Sequence, residues 1–218
     1  MSRQRQFLRA TCLSGAAFLL LLISARSQSL ETIIQQGHEL AVVSVAISAD
    51  SNYVLSGSRD KSAKLWEYRS GREVRSFLGH EATVRAVAFT NDGTAVLTGS
   101  NDNTIRIWSI ADGSVRMQLK MPEIVTSVAV DPMSRFYVAG GYSDSVVVFD
   151  GSGKVLKRLP ASPDKGMGSG VDLSISPKGN YLAISEDNRV VNLYRTTDWM
   201  LVRSRSWNGC EAKGGLAS

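Results

Sequence analysis

Two residue types are nearly missing from this chain of 218 residues: it has two histidines, His38 and His80, and two cysteines, Cys12 and Cys210. No Cys/His cluster with metal-ligand spacing can be assembled from them, and Asn101-Asp102-Asn103 lacks the rest of a calcium loop. No metal and no cofactor are therefore expected. A nucleophile elbow of the form G-x-S-x-G is missing as well. Gly151-Ser152-Gly153-Lys154 faintly resembles a phosphate loop. It lacks the first glycine at the required spacing, and Val155 stands where a magnesium-binding Ser or Thr is needed, so a hairpin turn is the better reading. No apolar run reaches the roughly 20 residues that span a bilayer as a helix.

The nearest to such a run is Cys12–Ile23, and its flanks give it another meaning. Arg3, Arg5 and Arg9 precede it without an acid, and Ala25-Arg26-Ser27 puts small residues at the two positions a signal peptidase reads. That order predicts a secretory signal peptide over residues 1–27, cut after Ser27, and hence a protein exported to a periplasmic or extracellular space. Cys12 opens the apolar segment and does not close it, which argues against a lipid anchor. No stable membrane insertion is expected after cleavage. The leader also distorts the charge. Of 25 Lys+Arg, four (Arg3, Arg5, Arg9 and Arg26) leave with it, so the formal +5 falls to 21 cations against 20 acids. Without a basic run interleaved with aromatics, nucleic acid is not an expected partner. Cys210 remains alone, so no intramolecular disulfide can form and stability must come from a packed core.

What is present is a repeat. Gly79–Trp108 (GHEATVRAVAFTNDGTAVLTGSNDNTIRIW) contains three short β-type runs separated by Asn/Asp/Gly turns, the pattern of an antiparallel meander. Gly37–Trp66 (GHELAVVSVAISADSNYVLSGSRDKSAKLW) lies over it without a gap. His38 and His80, Asp60 and Asp102, and Trp66 and Trp108 are each 42 residues apart. Weaker copies follow at Ile124–Phe149 and Val171–Tyr194. They lack Gly-His, replace Trp by Phe149 and Tyr194, and replace Asp by Ser143 and Asn188. Fourth strands are expected at Glu73–Leu78, Ser114–Leu119, Lys154–Leu159 and Trp199–Ser204.

A period of about 40–45 residues with an early Gly-His and a late Trp resembles the WD40-repeat family. The resemblance implies an all-β, WD40-type β-propeller: four recognisable four-stranded blades over 37–208, part of a larger ring in an exported protein of bacterial type. Residues 28–36 then read as an orphan outer strand and 209–218 as a tail or the start of a further repeat. Radial packing covers both faces of each sheet, which accounts for nearly continuous apolar strands such as Val146–Phe149.

The same resemblance implies buried hydrogen-bond chains over His38, Ser56, Asp60 and Trp66, and over His80, Thr98, Asp102 and Trp108. In each, Asp holds the imidazole, a hydroxyl relays, and the indole N–H gains an acceptor. Ala139 and Ile184 stand at the hydroxyl position of the third and fourth copies, which should be the looser pair. A Ser/His/Asp set also suggests a hydrolase triad. Both histidines occupy the same repeat position, however, and one active site would not be duplicated, so the chain is expected not to be an enzyme.

What remains is a surface for a protein or peptide partner. The resemblance points to Arg59, Thr83, Arg85, Asn101, Thr126, Tyr142 and Asp187, near the turns of one face. Arg59, Arg85 and Tyr142 are the strongest, because Arg and Tyr anchor interfaces. Pro160–Gly170 adds a longer loop. Two functions stay open: a non-catalytic exported scaffold, or the recognition portion of a longer exported enzyme, such as a caspase-like or other hydrolase. Four blades are fewer than the about seven usual in WD40 rings. An incomplete ring, lacking about three repeats, is expected to self-associate through uncovered sheet faces.

Overall fold

The computed structural model describes residues 37–142, 145–160, 170–186 and 190–206. They belong to a compact unit beginning at Gln36; a second unit, Met1–Gln35, lies outside the described residues. The expected leader, segment 28–36, most of the Pro160–Gly170 loop, Ser143, Asp187, Asn188 and the tail 209–218 also lie outside them.

Asp and Asn side chains fold the connections between strands. Asp50, Asp92, Asp112 and Asp150 each accept a backbone N–H two residues ahead, from Asn52, Thr94, Ser114 and Ser152 at 2.9–3.1 Å. These turns reverse the chain between apolar runs. The runs form strands β1 (Val42–Ile47), β2 (Tyr53–Ser58), β3 (Ala63–Glu67) and β4 (Glu73–Phe77), then β5 (Val84–Phe89), β6 (Ala95–Ser100), β7 (Thr104–Ser109) and β8 (Val115–Lys120). The third copy gives β9 (Val125–Val130), β10 (Tyr137–Gly141), β11 (Ser145–Phe149) and β12 (Val155–Pro160). The fourth gives β13 (Asp172–Ile175), β14 (Tyr181–Glu186), β15 (Val190–Arg195) and β16 (Leu201–Ser206). Each set of four is one antiparallel sheet in chain order. The fold is all-β, with four four-stranded sheets of propeller-blade type.

The last strand begins two residues later than expected. Trp199 takes a positive φ of 57°, Asp198 caps the N–H of Met200, and Met200 returns its carbonyl to Arg195, so these residues make the turn.

Successive sheets pack through their first strands, β1 on β5, β5 on β9 and β9 on β13. Three apolar cores lie between them. Leu55, Leu65 and Phe77 meet Val84, Val87 and Trp108 in the first. Leu97, Ile105 and Ile107 meet Val125, Tyr137 and Phe149 in the second. Val138, Val146 and Leu159 meet Val171, Leu182 and Ile184 in the third. Neighbouring residues of one strand serve different cores: Val96 the first and Leu97 the second, Val147 the second and Val148 the third. Side chains alternate across a strand, so a sheet covered on both faces needs apolar residues at both parities. Gly57 allows the close approach. A Cβ there would lie 2.8 Å from a Val87 methyl carbon of the next sheet.

Candidate functional site

The two Gly-His repeats build the same polar chain. In the first sheet His38 Nδ1 donates to Asp60 Oδ2 (2.7 Å), Ser56 Oγ donates to His38 Nε2 (2.7 Å), and Trp66 Nε1 donates to Ser56 Oγ (2.8 Å). In the second, His80, Asp102, Thr98 and Trp108 repeat these contacts at 2.7, 2.7 and 2.8 Å. A carboxylate on Nδ1 fixes the proton there, leaving Nε2 to accept. All eight expected residues are thus brought together, four in each sheet. Two more join them. Ser62 and Thr104 each donate a hydroxyl to the Asp two residues earlier at 2.6 Å and approach the imidazole. The signal for these was an Asp-x-Ser/Thr spacing in both copies.

Electrostatics hold the carboxylates ionised. Burial raises the pKa of Asp60, but hydrogen bonds from the Ser62 hydroxyl and N–H, from His38 and from the Glu39 N–H outweigh it and bring it to about 2. Asp102 is balanced in the same way by Thr104, the Glu81 N–H and His80, and also falls to about 2. Desolvation pushes His80 below its ordinary value against the pull of Asp102. The contacts are those of a hydrolase triad, yet the hydroxyl is buried in both sheets, 5% exposed at Ser56 and 0% at Thr98, and receives an indole N–H. It is not placed to meet a substrate.

The third and fourth sheets replace this chain with apolar contact. Ala139 and Ile184 are fully buried at the hydroxyl position. Phe149, also fully buried, stacks on Tyr137 at 5.7 Å, and the Tyr194 hydroxyl reaches the Pro160 carbonyl at 3.4 Å. The third sheet carries a polar anchor that sequence reasoning missed. Asp131, fully buried at the β9–β10 turn, takes both Nε and Nη2 of Arg135 at 2.8 Å.

The second constellation lies at the mouth of the first strands. Register shifts between Val42 and Ser44 and between Val84 and Ala86 leave Val43 and Arg85 outside the ladder, and a shift on the partner strand does the same for Thr126. Such β-bulges turn a side chain out of the sheet. Here they turn three equivalent side chains toward one cavity of about 460 Å³, which Tyr142 and Asp172 also line. Arg85 donates Nε to Asn101 Oδ1 (2.7 Å) and lays its guanidinium 5.9 Å from the Tyr142 ring centre, a cation–π contact.

The expected partner residues therefore divide. Arg85, Asn101 and Tyr142 form one cluster. Thr126 lines the same cavity, but its hydroxyl donates to the Val171 carbonyl at 3.0 Å and serves to join sheets. Thr83 contributes its carbonyl to the Asn101 N–H (2.9 Å). Arg59 is exposed, bonds through its backbone to Ala41 and does not line the cavity. Asp172, which the sequence reading passed over, faces the cavity at the repeat position of Ser44 and Ser127. Among the described residues, no group of three His, Cys, Asp or Glu is placed to hold a metal.

Residues 28–67 and 71–109 match the family model of the WD domain, G-beta repeat. These are two WD40 repeats. They span the first sheet and three strands of the second, including both polar chains; the third and fourth sheets share the strand order without the match. The chain is also similar to ribosome biogenesis protein BOP1 homologues from Drosophila ananassae, Drosophila grimshawi and Drosophila willistoni, 38% identical over 48 residues. That stretch is 22% of this chain and 6% of each relative. The relatives are insect proteins and lend the bacterial-type expectation no support.

Proposed function

We propose that this WD40-repeat chain is a non-catalytic scaffold that holds a protein or peptide segment at the mouth of its first strands. The observation that carries the reading is the Arg85 bulge. It presents a guanidinium steadied by Asn101 and Tyr142 to a cavity whose other wall bears Asp172. A cation and a carboxylate across one polar cleft suit an extended segment with charged side chains or exposed backbone. The test is selection of displayed random 12-residue peptides on the immobilised chain. Enrichment that Arg85→Glu abolishes, with the sheets intact by circular dichroism, is expected. No enrichment, or enrichment indifferent to Arg85→Glu and Asp172→Lys, overturns the reading.

Export through residues 1–27 belongs to the same proposal and rests on the Arg-rich, apolar, small-residue order. N-terminal sequencing of the exported product should begin at Gln28. An intact Met1 in a membrane fraction contradicts it. The BOP1 likeness extends over little more than one repeat, so we carry over the repeat and not the ribosome-linked role. An enzyme domain elsewhere in a longer polypeptide has no support among the described residues.

A further inference from the structure

The first strand of each sheet has one unpaired edge, and between the described sheets a single repeat position caps it. Val87 N donates to Ser44 Oγ of the preceding sheet (3.3 Å), and Leu173 N donates to Ser127 Oγ (3.1 Å). Register sets Ser44, Ala86 and Ser127 opposite Gly57, Gly99 and Gly140, so all three occupy that position. Between the second and third sheets the N–H to be capped is that of Val128, the counterpart of Val87. Ala86 has no hydroxyl to offer it. Distance is not the reason. A Cβ on Gly99 would lie 3.0 Å from a Val128 methyl carbon, against 2.8 Å between Gly57 and Val87. Among the described residues nothing else accepts from Val128 N, so a backbone donor opens on the cavity that Ala86 and Val128 line.

Arg85 stands beside Ala86 on the same cavity. Asn101 Oδ1 holds its Nε at 2.7 Å, and the guanidinium lies over the Tyr142 ring. Among the described residues Nη1 and Nη2 have no acceptor and no carboxylate pairs with them. A planar fork fixed at one edge and free at the other is suited to take both oxygens of a carboxylate. The second and third sheets each pack against a described sheet on either side, so this junction is complete in itself.

We infer that the segment held in the cavity is acidic: an Asp or Glu carboxylate takes the free edge of Arg85, and a backbone carbonyl of the same segment takes the N–H of Val128. This rests on the scaffold reading and names the chemistry the segment brings to it. An extended segment offers a side chain and a carbonyl within a residue or two of each other, as a strand added to a sheet edge does. Asp172 on the same cavity sharpens the choice of anion, because its charge opposes a phosphate dianion more than a carboxylate.

The test is titration of the 15N-labelled full chain with capped hexaglutamate and capped hexaglutamine, read at the Val128 amide and the Arg85 Nε–H resonances. Hexaglutamate should move both saturably, and hexaglutamine should bind at least tenfold more weakly. Arg85→Gln should weaken hexaglutamate at least tenfold and remove the difference between the peptides. Ala86→Ser supplies the missing hydroxyl, so it should shift the Val128 amide in the free chain and weaken hexaglutamate by a smaller factor. Arg85 is exposed, so Arg85→Gln should leave the far-UV circular dichroism unchanged. No response to hexaglutamate, equal binding of the two peptides, tighter binding of capped hexaphosphoserine, or an affinity indifferent to both variants would each overturn the inference. Displayed peptides that enrich through Arg85 without Asp or Glu would overturn it while the scaffold reading stands, whereas no enrichment at all removes the scaffold reading itself.

Discussion

The first and second sheets contain the same polar chain with the same bond lengths, and the imidazole, hydroxyl and carboxylate are buried in both, but only the second encloses its indole completely. Trp108 is 1% exposed, pressed between its own sheet and Phe77 of the preceding one; Trp66 has no preceding sheet among the described residues and is half-buried. The geometry of the chain is therefore local, drawn from one repeat's turn and strands. The full burial of the indole is not local, because the sheet before it supplies the cover. A hydrogen bond gains most when its surroundings exclude water, and an unpaired group costs most in the same place.

Removing the indole is the strongest way to break this comparison. Trp108→Ala should cost about 3–5 kcal/mol, the range for a large core aromatic, and leave Thr98 without its donor. Trp66→Ala should cost clearly less. Urea unfolding of the two variants reads the difference, and equal losses would mean that cover by the neighbouring sheet adds nothing.

Acid should act on the polar chains in two stages. The folded-state pKa of His80 is lowered by burial, so below about pH 6.5 the unfolded chain binds the proton first and stability falls as pH falls. Asp60 and Asp102 are lowered to about 2, so their contribution is full above about pH 4 and is lost progressively below it, toward about 2. Urea midpoints measured from pH 7.5 down to pH 3 should decline through both windows. Stability that is flat or rising on acidification contradicts the burial of His80.

The smallest effect is expected in the fourth repeat. Asn188→Ala changes the position of Asp102 where Ile184 has replaced the hydroxyl, and it should fall within about 0.5 kcal/mol of the parent. A loss as large as that of Asp102→Asn would show that the polar chain is not what distinguishes the first two sheets.

Much of this was legible in the residues. The 42-residue offset that aligns His38 with His80 and Trp66 with Trp108 located two sheets, and the resemblance to WD40 repeats named the members of both polar chains. Turn residues such as Asp92-Gly93 marked where strands end. The bulges that lift Arg85 and Thr126 out of their ladders were not legible, because a bulge is a mismatch between two strands and neither strand records it alone. Asp172 was passed over for a related reason. Its importance comes from the sheet alongside, through a position that elsewhere is Ser44 or Ser127. The Asp131–Arg135 pair has no counterpart in the other repeats, so a search by period could not find it.

The central claim is that one local polar chain is worth more where a neighbouring sheet covers it. The most direct measurement is the paired loss of stability in His38→Ala and His80→Ala by urea unfolding under conditions that keep the chain single. The expectation is a loss of about 1–3 kcal/mol for His80→Ala and a distinctly smaller one for His38→Ala. Equal losses, or a larger loss at His38, would contradict it.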